Sequence, residues 1–454
     1  MSKLSKNGLG RAVTALAAER GCAQINPDGS RVRRWLEGEQ PRDPVPELIA
    51  AVLTDKCGIQ LSADDLGLRP SSALPDPTYY LQPATILDTL ARSAQTTLAA
   101  GPVHEPAEYD DQAQPPSVPA RLLPALESWS WTKPRTPLAS RSGLRTIGPS
   151  DAVRIAEQTS ELRRMDNKRG GATMAFMALA HLATTTQLIR DGSYTEETGR
   201  LLFRELADIA GVVGWAAHDA AAFSTATRYL TLAVQAARES GDRDLTAHLL
   251  QALARVWGYV NHFQLARDCI ALAVYGARNT ASPVVRSGLH ALDGRFAALL
   301  GDQQGALRSV NHAQDIFAED RTGPTPAYVA YFDAAELSST LGEVLLFLSR
   351  RTGIAQHAHD AVSLLTIVSA DRDEHRVRSR AFDAIALARA LVFTGAIDEA
   401  GASTQRALAA AQSVDSARVR RRLRDLARET SSLMEVPIFR QLHAVACASR
   451  KETG

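Results

Sequence analysis

One short register, repeated down the chain, limits what this sequence can fold into more than any other feature. It reads Ala, then an apolar residue four later, then a small or apolar residue three beyond that. It occurs as Ala226–Leu230–Ala233, Ala266–Ile270–Ala273 and Ala306–Val310–Ala313, in steps of 40 residues. Weaker copies follow as Ala358–Val362–Leu365 and Ala400–Thr404–Ala407. Twelve residues before each leading Ala stand Gly214, Ala254, Gly294, Leu346 and Ala388, four of them small. Apolar residues at i, i+4 and i+7 form one stripe along a helix. Small residues on the preceding helix let two antiparallel backbones approach closely. Such a pair cannot bury its stripe alone and stacks on its neighbours, so the pattern predicts a solenoid. Ala-rich amphipathic helices without a true repeat are the alternative.

The Gly/Ala…Ala…apolar…Ala skeleton resembles tetratricopeptide repeats with a longer period. The connectors agree: Gly241-Asp242-Arg243-Asp244 separates the first pair from the second, and Thr280-Ala281-Ser282-Pro283 precedes the third. Gly301-Asp302 and Gly395-Ala396-Ile397-Asp398 fall inside the third and last pairs. From Pro149 onward the chain is rich in Ala, Leu and Arg, strong helix formers, and strand alternation is absent. The expected fold is all-α: a tetratricopeptide-like helical-repeat solenoid over residues 149–445, a Pro-rich linker over 70–148, and a helix-turn-helix-like module over 1–69. PSSALPDPTYYLQP, GPVHEPAEYDDQAQPPSVP and TKPRTPLAS mark the linker, because proline removes backbone donors and blocks helix continuation. One helix is expected inside it, near Ala84–Ala100, with Trp129 and Trp131 docking its end on the body.

At 454 residues two or three domains are expected. A net charge of +1, from 51 basic and 50 acidic side chains, excludes a generic polycation, so any nucleic-acid surface must be local. Cys22, Cys57, Cys269 and Cys447 form no CxxC pair and no Cys/His cluster, which predicts free thiols and no structural zinc. No apolar run reaches the roughly 18 residues of a membrane span. The basic start MSKLSKNGLGRAV leads into no apolar signal region, so a cytoplasmic protein is expected. GxxxxGK[ST], HExxH and GxSxG are absent, and His357 and His359, two apart on a helix, point to different sides. A non-enzyme with no metal or cofactor is expected.

The segment SRVRRWLEGEQPR carries the DNA-binding signal. Ser30 is expected to cap a helix whose apolar face is Val32, Trp35 and Leu36, with Gly38 ending it. Arg31, Arg33 and Arg34 lie largely off that face, where they reach phosphates or guanine edges, and Arg42 adds a phosphate contact. A helix at about Leu9–Arg20, burying Val13, Leu16 and Ala17, precedes it. Another, roughly Val45–Thr54, follows, and then the cap-like LSADDLGL. That is helix-turn-helix order. The first 69 residues hold ten Lys/Arg against nine Asp/Glu, so the local cluster, not the sum, carries the signal. A merely solvated basic face is the bland alternative.

The pattern D-x-S-x-V-x-x-W-L-x-G-x-x-P-R-x-P-V-P-E-L-I-A, at Asp28–Ala50, resembles the N-terminal module of a group of actinobacterial regulators. These join a phage-repressor-type helix-turn-helix to a tetratricopeptide-like body; the Nsd-type negative regulators of Streptomyces differentiation and antibiotic production are examples. The likeness continues at Asp151–Gly171, Gly214–Asp219, Ala281–Ala291, Tyr331–Leu337 and Arg378–Ala384. It implies a recognition helix at Ser30–Leu36, a repressor-type transcriptional regulator, and a homodimer on paired half-sites. It also implies a further helix ahead of Leu9, where MSKLSKNG stands. The module is therefore expected to lack its first helix, through an upstream start or degeneration, and to expose its Val13/Leu16 face. The competing class is a protein-interaction scaffold that regulates without touching DNA.

In the body, Trp257, Tyr259, His262 and Tyr331 are expected on the concave face, holding a protein or peptide partner; other aromatics there fill core gaps. The run Arg418, Arg420, Arg421, Arg422, Arg424 and Arg428 is expected on a solvated capping helix, with contact to DNA or an acidic partner as the alternative. Asp166–Gly171 is expected as a turn between two helices.

Overall fold

Each copy of the register is the second helix of an antiparallel pair. The computed structural model describes the chain outside residues 1–4, 23, 37–38, 40, 43, 58–65, 67–74, 78–79, 102–121, 132–135, 142, 170, 279–281, 320–324 and 449–454. The chain divides into two units, Met1–Pro75 and Asp76–Gly454.

The first unit holds α1 (Lys6–Glu19), α2 (Gly29–Leu36) and α3 (Val45–Cys57). Val13 and Ala17 of α1 pack against Leu48, Ile49 and Val52 of α3, with Leu9, Leu16 and Trp35 half-buried around them. The expected exposure of the Val13/Leu16 face is not found: Val13 is fully buried and Leu16 half-buried, because α3 lies across them. A Cβ on Gly10 would lie 2.5 Å from the Pro27 carbonyl oxygen, so α1 seats the turn ahead of α2 at closest approach. LSADDLGL, apart from Leu66, lies outside the described residues.

The second unit is an all-α helical-repeat solenoid. It begins with α4 (Pro83–Ala100), α5 (Leu122–Trp131), α6 (Pro149–Arg169) and α7 (Gly171–Asp191). The helix expected inside the linker is α4, and it belongs to this unit. Ile86, Leu90 and Ala94 are fully buried against the body, as are Leu122 and Leu126 of α5. The side chains of Trp129 and Trp131 lie outside the described residues. Two-residue strands Arg145–Thr146 and Gly192–Ser193 pair in parallel and are the only sheet among the described residues.

The five repeat pairs follow. They are α8 (Glu196–Asp219) with α9 (Phe223–Ser240), α10 (Arg243–Tyr259) with α11 (Phe263–Ala277), and α12 (Pro283–Leu300) with α13 (Gln303–Phe317). Then come α14 (Ala334–Thr352) with α15 (Ala355–Asp371) and α16 (Val377–Thr394) with α17 (Ile397–Ala411). The leading alanines Ala226, Ala266, Ala306, Ala358 and Ala400 are all fully buried. A Cβ on Gly214 would lie 2.7 Å from Leu230 Cγ, which is the close approach the pattern requires. In the fourth pair Leu346 does not supply the small contact. Gly342, one turn earlier, does, and a Cβ there would lie 2.7 Å from Leu365 Cγ. Each pair turns through a left-handed residue: Gly301, Gly353 and Gly395, but also Ala221 at φ 64° and Asn261 at φ 66°. α18 (Ala417–Glu429) and α19 (Pro437–Ala448) close the array, with Phe439 and Leu442 fully buried.

Candidate functional site

Two sets of residues carry chemistry, one in each unit. In the first, α2 begins one residue earlier than expected, and Asp28 caps it instead of Ser30. The Asp28 carboxylate accepts the Arg31 N–H at 2.8 Å and the Ser30 hydroxyl at 3.3 Å. That backbone hydrogen bond holds the carboxyl below its usual range. Val32 anchors the helix at 1 % exposure, Trp35 is half-buried, and Leu36 is 69 % exposed. The expected three-residue apolar face is thus narrower, because α1 covers only the Val32 side of this short helix. Ser30, Arg31, Arg33, Arg34 and Arg42 are all exposed. Arg34 Nε lies 3.5 Å from the Glu39 carboxylate. Gly38, expected to end the helix, lies outside the described residues.

In the second unit, the residues after Gly214, Ala254, Gly294, Leu346 and Ala388 form a rung on the first helix of each pair: Trp215, Arg255, Arg295, Phe347 and Arg389. Arg295 meets Glu343 at 2.6 Å, and Arg422 of α18 reaches the other oxygen of the same carboxylate. Burial pushes Glu343 upward, but these two guanidinium groups outweigh it and hold its carboxyl at about 2. Arg389 is bidentate on Glu429, at 2.6 and 2.9 Å. Arg255 differs: its guanidinium carbon lies 5.8 Å from the ring centres of both Trp215 and Tyr331, and no carboxylate pairs with it among the described residues.

The array closes on itself near this rung. Arg378 of α16 binds the carboxylate of Asp166 at 2.7 and 3.2 Å and that of Asp219 at 3.1 Å. Asp219, fully buried at the end of α8, also accepts from Ser416 at 2.8 Å and Arg418 at 2.7 Å. Asp166 therefore lies within α6 as the partner of Arg378, not in a free turn; Gly170 is outside the described residues.

The arginine run of α18 is not the solvated cap expected of it. Arg418 stacks 4.6 Å over Trp215, Arg421 lies 4.3 Å over Tyr259 and donates to its carbonyl at 2.6 Å, and Arg422 pairs with Glu343. These three share one helix face, and they turn inward because acids and rings from α8, α10 and α14 meet them there. Arg420 and Arg428 face outward, paired with Asp415 and Asp425 on their own segment.

The predicted partner residues separate. Tyr331 and Tyr259 border the inner rung, through Arg255 and Arg421 respectively. Trp257 is buried in the core at 4 % exposure, edge-on to His262 at 5.5 Å. His262 sits half-buried at the turn into α11. Arg255, His218, His248 and Gln251 were not singled out from sequence. The 40-residue step applied to the residue beside each small one, Trp215, Arg255 and Arg295, finds Arg255 but not the other three.

Among the described residues no His, Cys, Asp or Glu cluster is arranged to hold a metal ion, and no helix is long and apolar enough to cross a membrane. Cys22, Cys269 and Cys447 are unpaired thiols. A family model described as the SP15 N-terminal domain matches residues 1–69, the stretch that contains α1 to α3. No curated protein matches the chain.

Proposed function

We propose that this chain is a non-enzymatic transcriptional regulator, of the repressor type that controls development or secondary metabolism. In this reading the Ser30–Leu36 helix contacts DNA and the tetratricopeptide-like body binds an effector or partner. The observation that carries it is the exposed Arg31/Arg33/Arg34 face on a helix anchored by Val32 and capped by Asp28. A short helix held from one side, with its arginines outward, suits the major groove. The match of residues 1–69 to one family model supports treating this stretch as a module. A regulatory scaffold that never touches DNA is the second reading. The ten-to-nine charge balance of the module and the pairing of Arg34 with Glu39 favour it.

Binding of the full chain to its own upstream DNA, across a salt series, separates the two. The comparison is an Arg31→Ala/Arg33→Ala/Arg34→Ala triple variant. The regulator reading expects specific binding that weakens with salt and disappears in the variant, each lost phosphate contact lowering the log–log salt slope by about 0.9. Equal binding by both chains at low salt sinks it in favour of the scaffold.

A further inference from the structure

The arginines of the inner rung are not equivalent. Arg295, Arg389 and Arg422 each face a carboxylate, as do Arg378 and Arg418 beside them. Arg255 faces none among the described residues, and its Nε is buried without a hydrogen-bond partner. A desolvated cation without a counter-charge is costly, and packing alone gives no reason to keep one.

The unpaired atoms gather around that residue. Gln251, one turn earlier on α10, is 2 % exposed, and its Nε2 has no partner. His218, also 2 % exposed, has an unpartnered Nδ1; its ring lies 5.2 Å from Trp215, one of the two rings near Arg255. His248, which the Gln251 side chain approaches, has an Nδ1 with no well-formed hydrogen bond, and its ring lies 6.1 Å from Tyr331, the other ring against Arg255. Folded proteins leave few buried polar atoms unsatisfied, and three around the Arg255 Nε form with it a set with a common need. Burial, then the nearby arginines, keeps both imidazoles neutral: His248 falls to about 3 and His218 well below its usual value. Arg255 adds to a positive field set up with Arg163 at His248 and with Arg418 at His218, and the neutral rings can donate or accept.

We infer that this part of the inner face binds a small ligand bearing a carboxylate or phosphate group. Arg255 is the anion clamp, Gln251, His218 and His248 are hydrogen-bonding contacts, and Trp215 and Tyr331 are the flat walls. A planar guanidinium within cation–π range of two rings keeps its fork for an oxyanion, which it can bind bidentately. The inference rests on the reading of the repeat body as the effector-binding part, and it names the chemistry of that effector.

Thermal unfolding of the full chain, without DNA and at constant chloride-balanced ionic strength, tests it. The probes are inorganic phosphate and benzoate, which separate the two oxyanion sources; hexaglutamate is run beside them as an acidic peptide. The variants are Arg255→Gln, Gln251→Leu and, as an exposed control, Arg440→Gln. The expected result is a saturable rise in midpoint with at least one probe. Its apparent dissociation constant is at least tenfold weaker in Arg255→Gln, weakened in Gln251→Leu and unchanged in Arg440→Gln. Without ligand, Arg255→Gln is expected to unfold no earlier than the parent chain, since it removes an uncompensated charge; this separates binding loss from misfolding. No saturable rise with either probe, or an equal rise in parent and Arg255→Gln, overturns the inference. So does a rise that appears only with hexaglutamate, which assigns the site to an acidic peptide. None of these outcomes depends on DNA binding by α2.

Discussion

Arg378 donates to both carboxylate oxygens of Asp166, 212 positions earlier in the chain, at 2.7 and 3.2 Å. The pair is buried, and Arg378 reaches Asp219 as well. Through this arginine the last repeat pair is tied to α6 and to the end of α8. Removing one member of a buried ion pair leaves the other charge uncompensated, at about 3–5 kcal/mol. Arg378→Ala is expected to cost that much in urea unfolding. A double-mutant cycle with Asp166→Ala should return a coupling of order 1–3 kcal/mol; additive effects would mean the pair does not act as a closure.

Glu205 gives a pH dependence of definite sign. Burial, and then the neighbouring Asp208 charge, raise its carboxyl from 4.5 to about 7 against the pull of Arg204. The folded chain therefore binds this proton more tightly than the unfolded chain. Its favourable contribution is present below the unfolded value and is lost as pH rises from about 4.5 towards and past 7. Glu205→Gln should match the parent near pH 4.5 and exceed it by up to about 3 kcal/mol at pH 8, the free-energy equivalent of that shift. Equal unfolding midpoints at pH 8 would refute this assignment.

Glu343 works in the opposite sense. Its carboxyl lies at about 2 in the fold, so the stability it adds is present above 4.5 and is lost as pH falls towards 2. Glu343→Gln leaves Arg295 and Arg422 without their shared acid. A loss of about 3–5 kcal/mol at neutral pH is expected, narrowing as the pH is lowered; urea midpoints at pH 7 and pH 3 provide the check.

Ala221 and Asn261 occupy the turn position that Gly301, Gly353 and Gly395 hold in the other pairs. A left-handed backbone costs a residue with a Cβ about 1–2 kcal/mol, less for asparagine. Ala221→Gly should therefore stabilise the chain by up to about 1 kcal/mol, and Asn261→Gly by less. Destabilisation by Ala221→Gly in thermal unfolding would show that the alanine methyl makes a packing contact worth more than the strain.

Gly214→Ala tests the helix-pair contact directly. The added methyl meets Leu230 at 2.7 Å and the Leu230 backbone nitrogen at 3.2 Å. Overpacking of this kind costs about 1–3 kcal/mol. The same substitution at Gly301, where no atom lies within 4 Å, meets no clash and is penalised only by its left-handed φ of 86°. A Gly214→Ala midpoint equal to the parent's would show that the two backbones can separate without loss.

Much of the architecture was written locally. The spacing of Ala226, Leu230 and Ala233, and its return at 40-residue steps, is a property of single helices and their immediate neighbours, so it is legible without coordinates. The same holds for Val32 as the anchor of α2. The cap of α2 is not legible, because Asp28 and Ser30, two residues apart, are both good caps and only the backbone path decides between them. Gly342 was missed because a helix offers its small-residue contact one turn earlier as readily as at the expected position.

The sequence by itself determined an all-α chain, the helix pairs and the exposed arginines of α2, because each follows from side-chain periodicity within a few turns. Only the tertiary structure decided which arginines lie inside the body. Arg378, Arg418, Arg421 and Arg422 look like surface residues in one dimension. They turn inward because small rotations, accumulated repeat by repeat, bring α16 back to α6 and Arg418 of α18 to Asp219 of α8. The same accumulation brings both Tyr331 and Trp215 to Arg255 and leaves it, among the described residues, without an acid, a relation that no local motif records.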